Sequence, residues 1–484
     1  MNAPQGSPAA ALESRSWAIV GGGMLGLTLA HRLLAQGQRV TVLEAAPEIG
    51  GLAGAWQIGD VTWDKHYHVT LLSDLRLRAL LDDLGLGDEL EWVETRTGFF
   101  TDGQLHSMSN SWEFLRFPPL RLIDKVRLAG TIFGASKRRD GRALEQVLVG
   151  DWLSKWSGRR TFAKIWEPLL LAKLGPAYRR CSAAFIWATI QRMYSARQAG
   201  LKKEMFGYVR GGYARVLAKF AENLQERGAD LRTNSPVNAV VAEADGRVRV
   251  DGPAGSAHFD RVVLTTPAAH VAAACQQLDP DERARHEGVE YLGVVCASVL
   301  LTRPLAGFYV TNITDEGFPF TAVIEMTSLV DPSELGGQHL VYLPRYAATD
   351  DAIWNCSDDE IQRDFMTALR RMYPDLQDEH VAAFRVSRAR AVMALPTLNY
   401  SDRLPPLATA APYVFAVNST HITKGTLNVN EIIALVDDAL ASTLLPSLAP
   451  AHSTGVSPAA ASDSSSSPRS QSHDKAAGEL VARS

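Results

Sequence analysis

Cysteine is scarce in this chain: four in 484 residues, at Cys181, Cys275, Cys296 and Cys356. They make no CxxC pair and no metal-ligand spacing, which argues against a disulfide framework and a metal site. Reduced, partly buried thiols in a cytoplasmic protein fit them better. Charge of one sign is missing too. Lys plus Arg number 49 against 53 Asp plus Glu, a formal net charge of -4, so a nucleic-acid partner recruited by bulk charge is not expected. Long apolar runs are absent as well, and a spanning helix needs about 20 mostly apolar residues. Leu404 to Ile422 has no charged side chain, but Pro405, Pro406 and Pro412 would break a helix there. Trp17 to Ala30 follows Arg15 as a signal-peptide core would. Its four glycines and the lack of a small-residue cleavage site before His31 argue against that reading.

What remains is ordinary globular material, 46% hydrophobic and 21% charged, long enough for two or more domains. Residues 1–15 and the Ala/Ser/Pro-rich stretch 447–484, with Ser464 to Pro468 inside it, have little to bury and are expected to be disordered. Between them the elements alternate at the start: strand Trp17–Val20, helix Met24–Gln36 stopped by Gly37, strand Arg39–Leu43. This βαβ opening favours a parallel sheet. Tyr213–Arg227 is predicted as a helix burying Val216, Leu217, Phe220 and Leu224, followed by strand Asp230–Thr233. Val237–Ala242 and Val248–Asp251 read as strands hinged at Asp245-Gly246, and Arg261–Thr265 as another strand. Residues 101–204 read as helical. The span 290–400 mixes strands (Leu292–Leu301, Leu340–Leu343) with a charged helix near Asp358–Met372. One domain is therefore assembled from 16–100, 205–290 and 401–446, with a second made of 101–204 and 291–400.

The sharpest motif is Gly21-Gly22-Gly23-Met24-Leu25-Gly26 between the first strand and the first helix. Gly21, Gly23 and Gly26 form GxGxxG. The first glycine permits the tight turn, the second lets a pyrophosphate approach the backbone, and the third packs helix on strand. The helix N-terminus is then aimed at the phosphates. Glu44 ends the second strand, where a carboxylate reaches a ribose hydroxyl. Strand, loop, helix and acid together predict a dinucleotide site.

Downstream lies Glu48-Ile49-Gly50-Gly51-Leu52-Ala53-Gly54-Ala55-Trp56. Here the sequence resembles the flavin-dependent oxidoreductases that include amine oxidases, protoporphyrinogen oxidase and carotenoid desaturases. The resemblance continues at Val237, at Phe259 to Pro267, and at Tyr413 to Asn418 followed by Gly425-Thr426-Leu427-Asn428 and an apolar helix. It implies a doubly wound, Rossmann-like α/β FAD-binding domain with an inserted α+β substrate domain. It also implies FAD contacts at Gly21, Gly23, Met24, Leu25, Gly26, Glu44, Ala45, Gly51, Leu52, Ala53, Val237, Thr426 and Leu427. Leu52 stands where the family commonly has Arg, and Asn428 and Asn430 stand where glycines are commoner.

Candidate chemistry is sparser. His66 and His68 flank Tyr67 and, on an extended chain, would share one face. Either imidazole would serve as a base or donor near neutral pH, or simply bond to backbone. Lys173, in a stretch similar to protoporphyrinogen-oxidase-like proteins, would meet an acidic group or lie on the surface. Arg345 and Tyr346 follow a strand, where the guanidinium would bind a substrate anion or close a salt bridge. Amine oxidases carry a lysine near the flavin on a substrate-domain strand; the comparable Leu292–Val299 has none. The resemblance therefore implies an enzyme that dehydrogenates or desaturates an organic small molecule, with the protein supplying geometry, a base and dryness. Two rivals stand beside it: a mutase like UDP-galactopyranose mutase, without net redox change, and a non-catalytic FAD-binding scaffold. Finally, Phe117–Arg142 interleaves basic and apolar residues, with Leu122, Val126, Ala129 and Phe133 on one helical face. It fits a peripheral membrane-docking helix, or a core-facing helix with a solvated basic side, which is the simpler expectation.

Overall fold

A computed structural model describes residues 13–198, 205–423 and 425–448. The terminal stretches expected to be disordered lie outside these residues, apart from 13–15 and 447–448. A five-stranded sheet takes its strands in the order Asp230–Arg232, Arg39–Leu43, Ser16–Val20, Arg261–Leu264, Val414–Ala416. All of its pairings are parallel; Ile19 lies opposite Val42 on one side and Val263 on the other, and Val263 opposite Phe415. Parallel strands need cover on both faces, and side chains two apart supply it. Trp17, Ile19, Val42 and Val263 face the helices Met24–Ala35, Gly212–Glu226 and Val429–Ala439. Ala18, Val20, Val262 and Leu264 face an antiparallel sheet of Ala239–Ala242, Val248–Gly252 and Gly255–Phe259. Gly246, with φ of +83°, makes the turn between the first two of those strands.

A second, seven-stranded sheet runs in the order Val381–Ala394, Tyr291–Leu301, His339–Ala348, Ala322–Glu325, Val310–Ile313, Thr97–Thr101, Gln104–Ser107. One face is closed by the helix Asp358–Met372, whose Ile361, Phe365 and Leu369 join Val295, Val299, Val341 and Leu343. The opposite face, with Val294, Cys296 and Tyr342, packs on Trp63, Phe206 and Tyr208. Residues 111–198 add a helical layer with its own core around Phe117, Leu128, Leu153, Trp166, Leu174 and Trp187.

Three expectations need correcting. The helical reading of 101–204 fails at its start. The residues there form a hairpin turning on Asp102 and Gly103, both at positive φ, so the boundary drawn at residue 100 falls inside the Thr97–Thr101 strand. Val237 precedes its strand, which begins at Ala239. The helix Leu122–Lys137 faces the other way from the simpler expectation. It buries Lys125, Leu128, Thr131 and Ala135 and leaves Leu122, Val126 and Phe133 exposed, because periodicity defines a face without saying what covers it.

Candidate functional site

The glycine loop is a cradle built from backbone. Gly21 has φ of +111°, and a Cβ there would sit 2.5 Å from the Thr265 hydroxyl. At Gly26 a Cβ would fall 2.0 Å from the Gly21 carbonyl oxygen. That contact fixes how closely the helix approaches the strand. Gly23 differs: its nearest neighbour, the Gly51 Cα, would be 3.9 Å from a Cβ, so the space beside it is open. Gly23 N-caps the Met24–Ala35 helix without a side-chain cap, and no acid occupies the first turn. The N–H groups of that turn are thus left for an anion. Met24 and Leu25 bury their side chains, 4% and 7% exposed, so only their backbone is available to a ligand.

The second glycine loop locks onto the first. Gly50 donates its N–H to the Gly22 carbonyl at 2.8 Å, and Gly51 (φ +56°) opens a short turn over Gly51–Ala53 that buries Ala53 and half-buries Leu52. Glu44 accepts from the Gly22 N–H at 2.6 Å and the Ala46 N–H at 2.8 Å. A carboxylate has about four acceptor positions, so lone pairs remain for ribose hydroxyls. Ala45 lies in the exposed turn beyond it. Ser235 and Asn234 clip back onto the carbonyls of Glu44 and Ala46. That brings Val237 towards this strand end, where its carbonyl meets the His270 ring at 3.1 Å. These features fit a dinucleotide with a pyrophosphate at Gly23.

The C-terminal contribution uses asparagines where relatives commonly have glycine. Asn428 N-caps Val429–Ala439 by accepting from the Glu431 N–H at 3.1 Å, and its amide donates to the Thr426 carbonyl at 2.6 Å. Thr426 and Leu427 are half-buried in the loop before it. Asn430 accepts from the Arg76 and Leu77 N–H groups at 3.0 and 3.3 Å, capping the helix Leu75–Asp83 from a distance of 350 residues in sequence. Both asparagines are helix caps, and neither blocks the loop.

Against the seven-stranded sheet the structure gathers residues from three separate elements. The Tyr67 and Tyr346 hydroxyls are hydrogen-bonded at 2.9 Å, and the Lys173 ammonium lies 3.5 Å from the centre of the Tyr346 ring. Lys173 comes from the helix Glu167–Leu174, whose Ala172 carbonyl accepts from Thr321 at 2.9 Å and so ties the last turn to the sheet. Burial pushes the Lys173 pKa down, and the neighbouring Tyr67 only partly opposes it. Burial lifts the Tyr346 phenol to about 12, and burial together with Tyr346 pushes Tyr67 higher still. Both phenols are therefore neutral, and because one spends its O–H on the other, the pair has a single O–H left to donate. Among the described residues no carboxylate pairs with Lys173, which leaves a desolvated cation against the face of an aromatic ring.

Arg345 stands apart from this group. It alternates with Tyr346 along the strand and points to the other face, where Asp351 accepts from its guanidinium at 3.0 and 3.2 Å. The two histidines also part company, because residues 66–68 are not strand. The His66 Nε2 meets the Ser387 hydroxyl at 3.2 Å, and burial, then the neighbouring His68 and Lys65, bring its pKa down to about 3. His68 packs on the Tyr213 ring, with its Nδ1 3.5 Å from Asp64. Asp64 is itself committed, accepting from the Tyr213 N–H at 2.7 Å. Tyr67, between the histidines, is the residue that reaches Lys173 and Tyr346, and sequence reasoning passed over it. The bend that separates His66 from His68 brings Tyr67 to Tyr346, and no local sequence signal marks it. Among the described residues, no group of three or more His, Cys, Asp and Glu could hold a metal ion.

The sequence model for flavin containing amine oxidoreductases matches residues 25–426. The chain belongs to that family. Coproporphyrinogen III oxidase of Mycobacterium tuberculosis is 25% identical over 302 residues, covering 56% of this chain and 63% of that protein. The 15-cis-phytoene desaturase of Capsicum annuum is 22% identical over 279 residues, covering 51% and 46%. The chain thus matches less than two thirds of the length of either. Putrescine oxidase bound to putrescine superposes with a TM-score of 0.68 at 18% identity over 90% of this chain and 99% of that one, a likeness of fold. A flavin is the family's cofactor, and the paired glycine loops present the backbone donors that its phosphates would need. The strand Tyr291–Leu301 carries no lysine, and Lys173 against the seven-stranded sheet is carried by a helix.

Proposed function

We propose that this chain is an FAD-dependent oxidoreductase that dehydrogenates or desaturates a small organic molecule carrying an acidic group. The observation that carries the reading is Lys173, unpaired by any carboxylate among the described residues and held against Tyr346, whose hydroxyl meets that of Tyr67, in a desolvated setting. Gly21, Gly23, Gly26, Glu44, Gly51 and the Asn428-capped loop with Thr426 and Leu427 would hold FAD, and Val237 would take the adenine end. When bound, FAD accepts the hydride equivalent removed from the substrate. Lys173 would anchor the substrate's anionic group, and the one O–H of the Tyr67–Tyr346 pair that is not spent between them would orient it by donating a hydrogen bond. Tyr342, buried with its ring 6.2 Å from that of Tyr67, donates its hydroxyl to the Asp64 carbonyl at 2.6 Å behind them. His66, kept neutral by burial with the Ser387 hydroxyl beside its ring, would serve as a hydrogen-bond partner to the substrate and not as its base. Four free cysteines favour a reducing, cytoplasmic setting.

The test begins with the visible spectrum of the purified protein and the identity of whatever denaturation releases. Stoichiometric FAD supports the cofactor assignment, whereas a colourless protein that FAD cannot reconstitute overturns it. Acidic donors are then screened for anaerobic bleaching. If Lys173→Met bleaches as well as the parent at every donor concentration, Lys173 is not the anchor. A mutase would need a reductant for turnover yet consume none, which separates that rival in the same assay.

A further inference from the structure

The interlocked glycine loops offer a cofactor backbone donors and little charge. A diphosphate is a dianion near neutral pH, while the helix terminus behind Gly23 supplies only about half a positive charge. Residues 16–54 contain two permanent cations, Arg32 and Arg39, and both are committed away from the loops. Arg32, in the last turn of the helix Met24–Ala35, pairs with Asp437 at 3.1 Å and Asp83 at 3.6 Å. Arg39 opens its strand at the far end from Glu44 and lies 3.9 Å from Asp260. Glu44 itself adds a negative charge beside the first loop. Backbone alone thus leaves a bound diphosphate without its full counter-charge.

A free cation stands beside the second loop. The hairpin of Ala55–Ile58 and Val61–Asp64 turns at Gly59, where φ is +56°, with Ala55 opposite Asp64. The next residues outward, Gly54 and Lys65, therefore also face each other, and the Lys65 N–H donates to the Gly54 carbonyl at 2.9 Å. The Lys65 side chain then lies back over Gly54. Its Nζ is 3.5 Å and its Cδ 3.9 Å from where a Cβ on that glycine would be. Gly54 has ordinary extended backbone, φ of -61° and ψ of 149°. What it supplies is room, for this side chain and for the Gly51 carbonyl oxygen, 3.1 Å from the same point. Gly54 is one short turn from Gly51, whose own Cβ would meet the Gly23 Cα at 3.3 Å. Lys65 is half-buried, and among the described residues no carboxylate lies within ion-pair distance of it. A lysine with no task there would hold its head in water.

We propose that Lys65 supplies the counter-charge for the cofactor's diphosphate, from outside both glycine loops. The assignment rests on the FAD reading of the cradle. It makes Lys65 a cofactor-binding residue and Gly54 the position whose missing side chain lets it reach.

The experiment measures the FAD affinity of the full-length protein, with its flavin removed and returned, by quenching of flavin fluorescence. Lys65→Met should raise the Kd for FAD at least about tenfold and flatten its dependence on salt, whereas Lys65→Arg should stay within about threefold of the parent. ADP, which has the diphosphate and no flavin, should also bind Lys65→Met more weakly than it binds the parent. The flavin-free parent and variants should melt at the same temperature, and the flavin that Lys65→Met retains should keep the parent's reduction potential. If Lys65→Met binds FAD like the parent, the assignment is overturned. It is overturned too if Lys65→Arg loses as much affinity and as much thermal stability as Lys65→Met, since packing and not charge is then at stake. Normal binding of oxidised FAD with a lowered potential would place the lysine on the reduced flavin ring, and the diphosphate assignment falls. A parent that takes up no FAD overturns the cofactor reading itself and this assignment with it, a result distinct from the others.

Discussion

The glycine cradle and the wall around Lys173 are built by opposite means. The cradle is a matter of backbone: positive φ at Gly21, Gly50 and Gly51, a missing Cβ at Gly26, and open space at Gly23. The wall is made of side chains from three distant elements, and none of its residues has an unusual backbone. Local geometry fixes a cofactor cradle and tolerates little change. A substrate wall set by packing can be altered one side chain at a time.

The largest expected effect would break that contrast at its root. Gly26→Ala places a Cβ 2.0 Å from a backbone oxygen that cannot yield. It should cost about 3 kcal/mol or more in denaturant unfolding and abolish flavin retention. Gly23→Ala meets nothing closer than 3.9 Å, at a φ of -75°. Its stability should stay within about 1 kcal/mol of the parent while flavin affinity falls at least about tenfold. Equal behaviour of the two variants would remove the distinction between packing and ligand-facing glycines.

On the wall, Lys173→Met should raise KM for an acidic donor about tenfold or more with a smaller change in kcat, whereas Arg345→Met should leave KM alone. Partly exposed and paired with Asp351, Arg345 is expected to matter by no more than about 1 kcal/mol of stability. The Lys173 pKa lies below its ordinary 10.5, so the ammonium is lost earlier as pH rises. Binding of an acidic donor should weaken on the alkaline side below that value. A KM that stays flat up to pH 10.5 would dissociate Lys173 from substrate charge.

A third effect spans both regions. His31, His66 and His286 are held neutral by burial, with pKa values brought down from 6.5 to about 4, 3 and 4. Above pH 6.5 they are neutral whether the chain is folded or not. Below it the unfolded chain takes up protons that the folded one refuses. Stability is therefore full above 6.5 and declines as pH falls towards 4, by up to about 1.4 kcal/mol per pH unit for each histidine. Unfolding midpoints measured from pH 7 to 4.5 would show the slope, and a flat profile would mean these rings are not neutral in the fold. Smallest of all, Asn430→Ala should cost about 1 kcal/mol through the uncapped Leu75–Asp83 helix, without touching flavin affinity.

The same division decides how much could be read in advance. The strand Arg39–Leu43 and the helix Asp358–Met372 have the bounds that their residues predicted, because alternation, capping and glycine stops act over a few neighbours. The GxGxxG loop was legible for the same reason. The Thr97–Thr101 hairpin carried a local signal, Asp102-Gly103, that the surrounding helical composition obscured. The meeting of Tyr67, Lys173 and Tyr346 had no local signal, since it depends on how a helix at 167–174 settles on a strand at 339–348. Neither did the outward turn of Val126 and Phe133, where the sequence pattern implied a face and tertiary packing chose its opposite for the core.

The five-stranded sheet has a further consequence, for synthesis. Its neighbouring strands Ser16–Val20 and Arg261–Leu264 are some 240 residues apart, and its edge strand Val414–Ala416 comes near the end of the chain. The helix that caps Leu75–Asp83 is made later still. A ribosome has therefore added some 240 further residues before the first strand can find its second neighbour. Such distant pairings close slowly and leave apolar edges waiting. The nascent chain should depend on chaperones through that interval, and a message cut short before codon 414 should yield a product that never assembles the sheet.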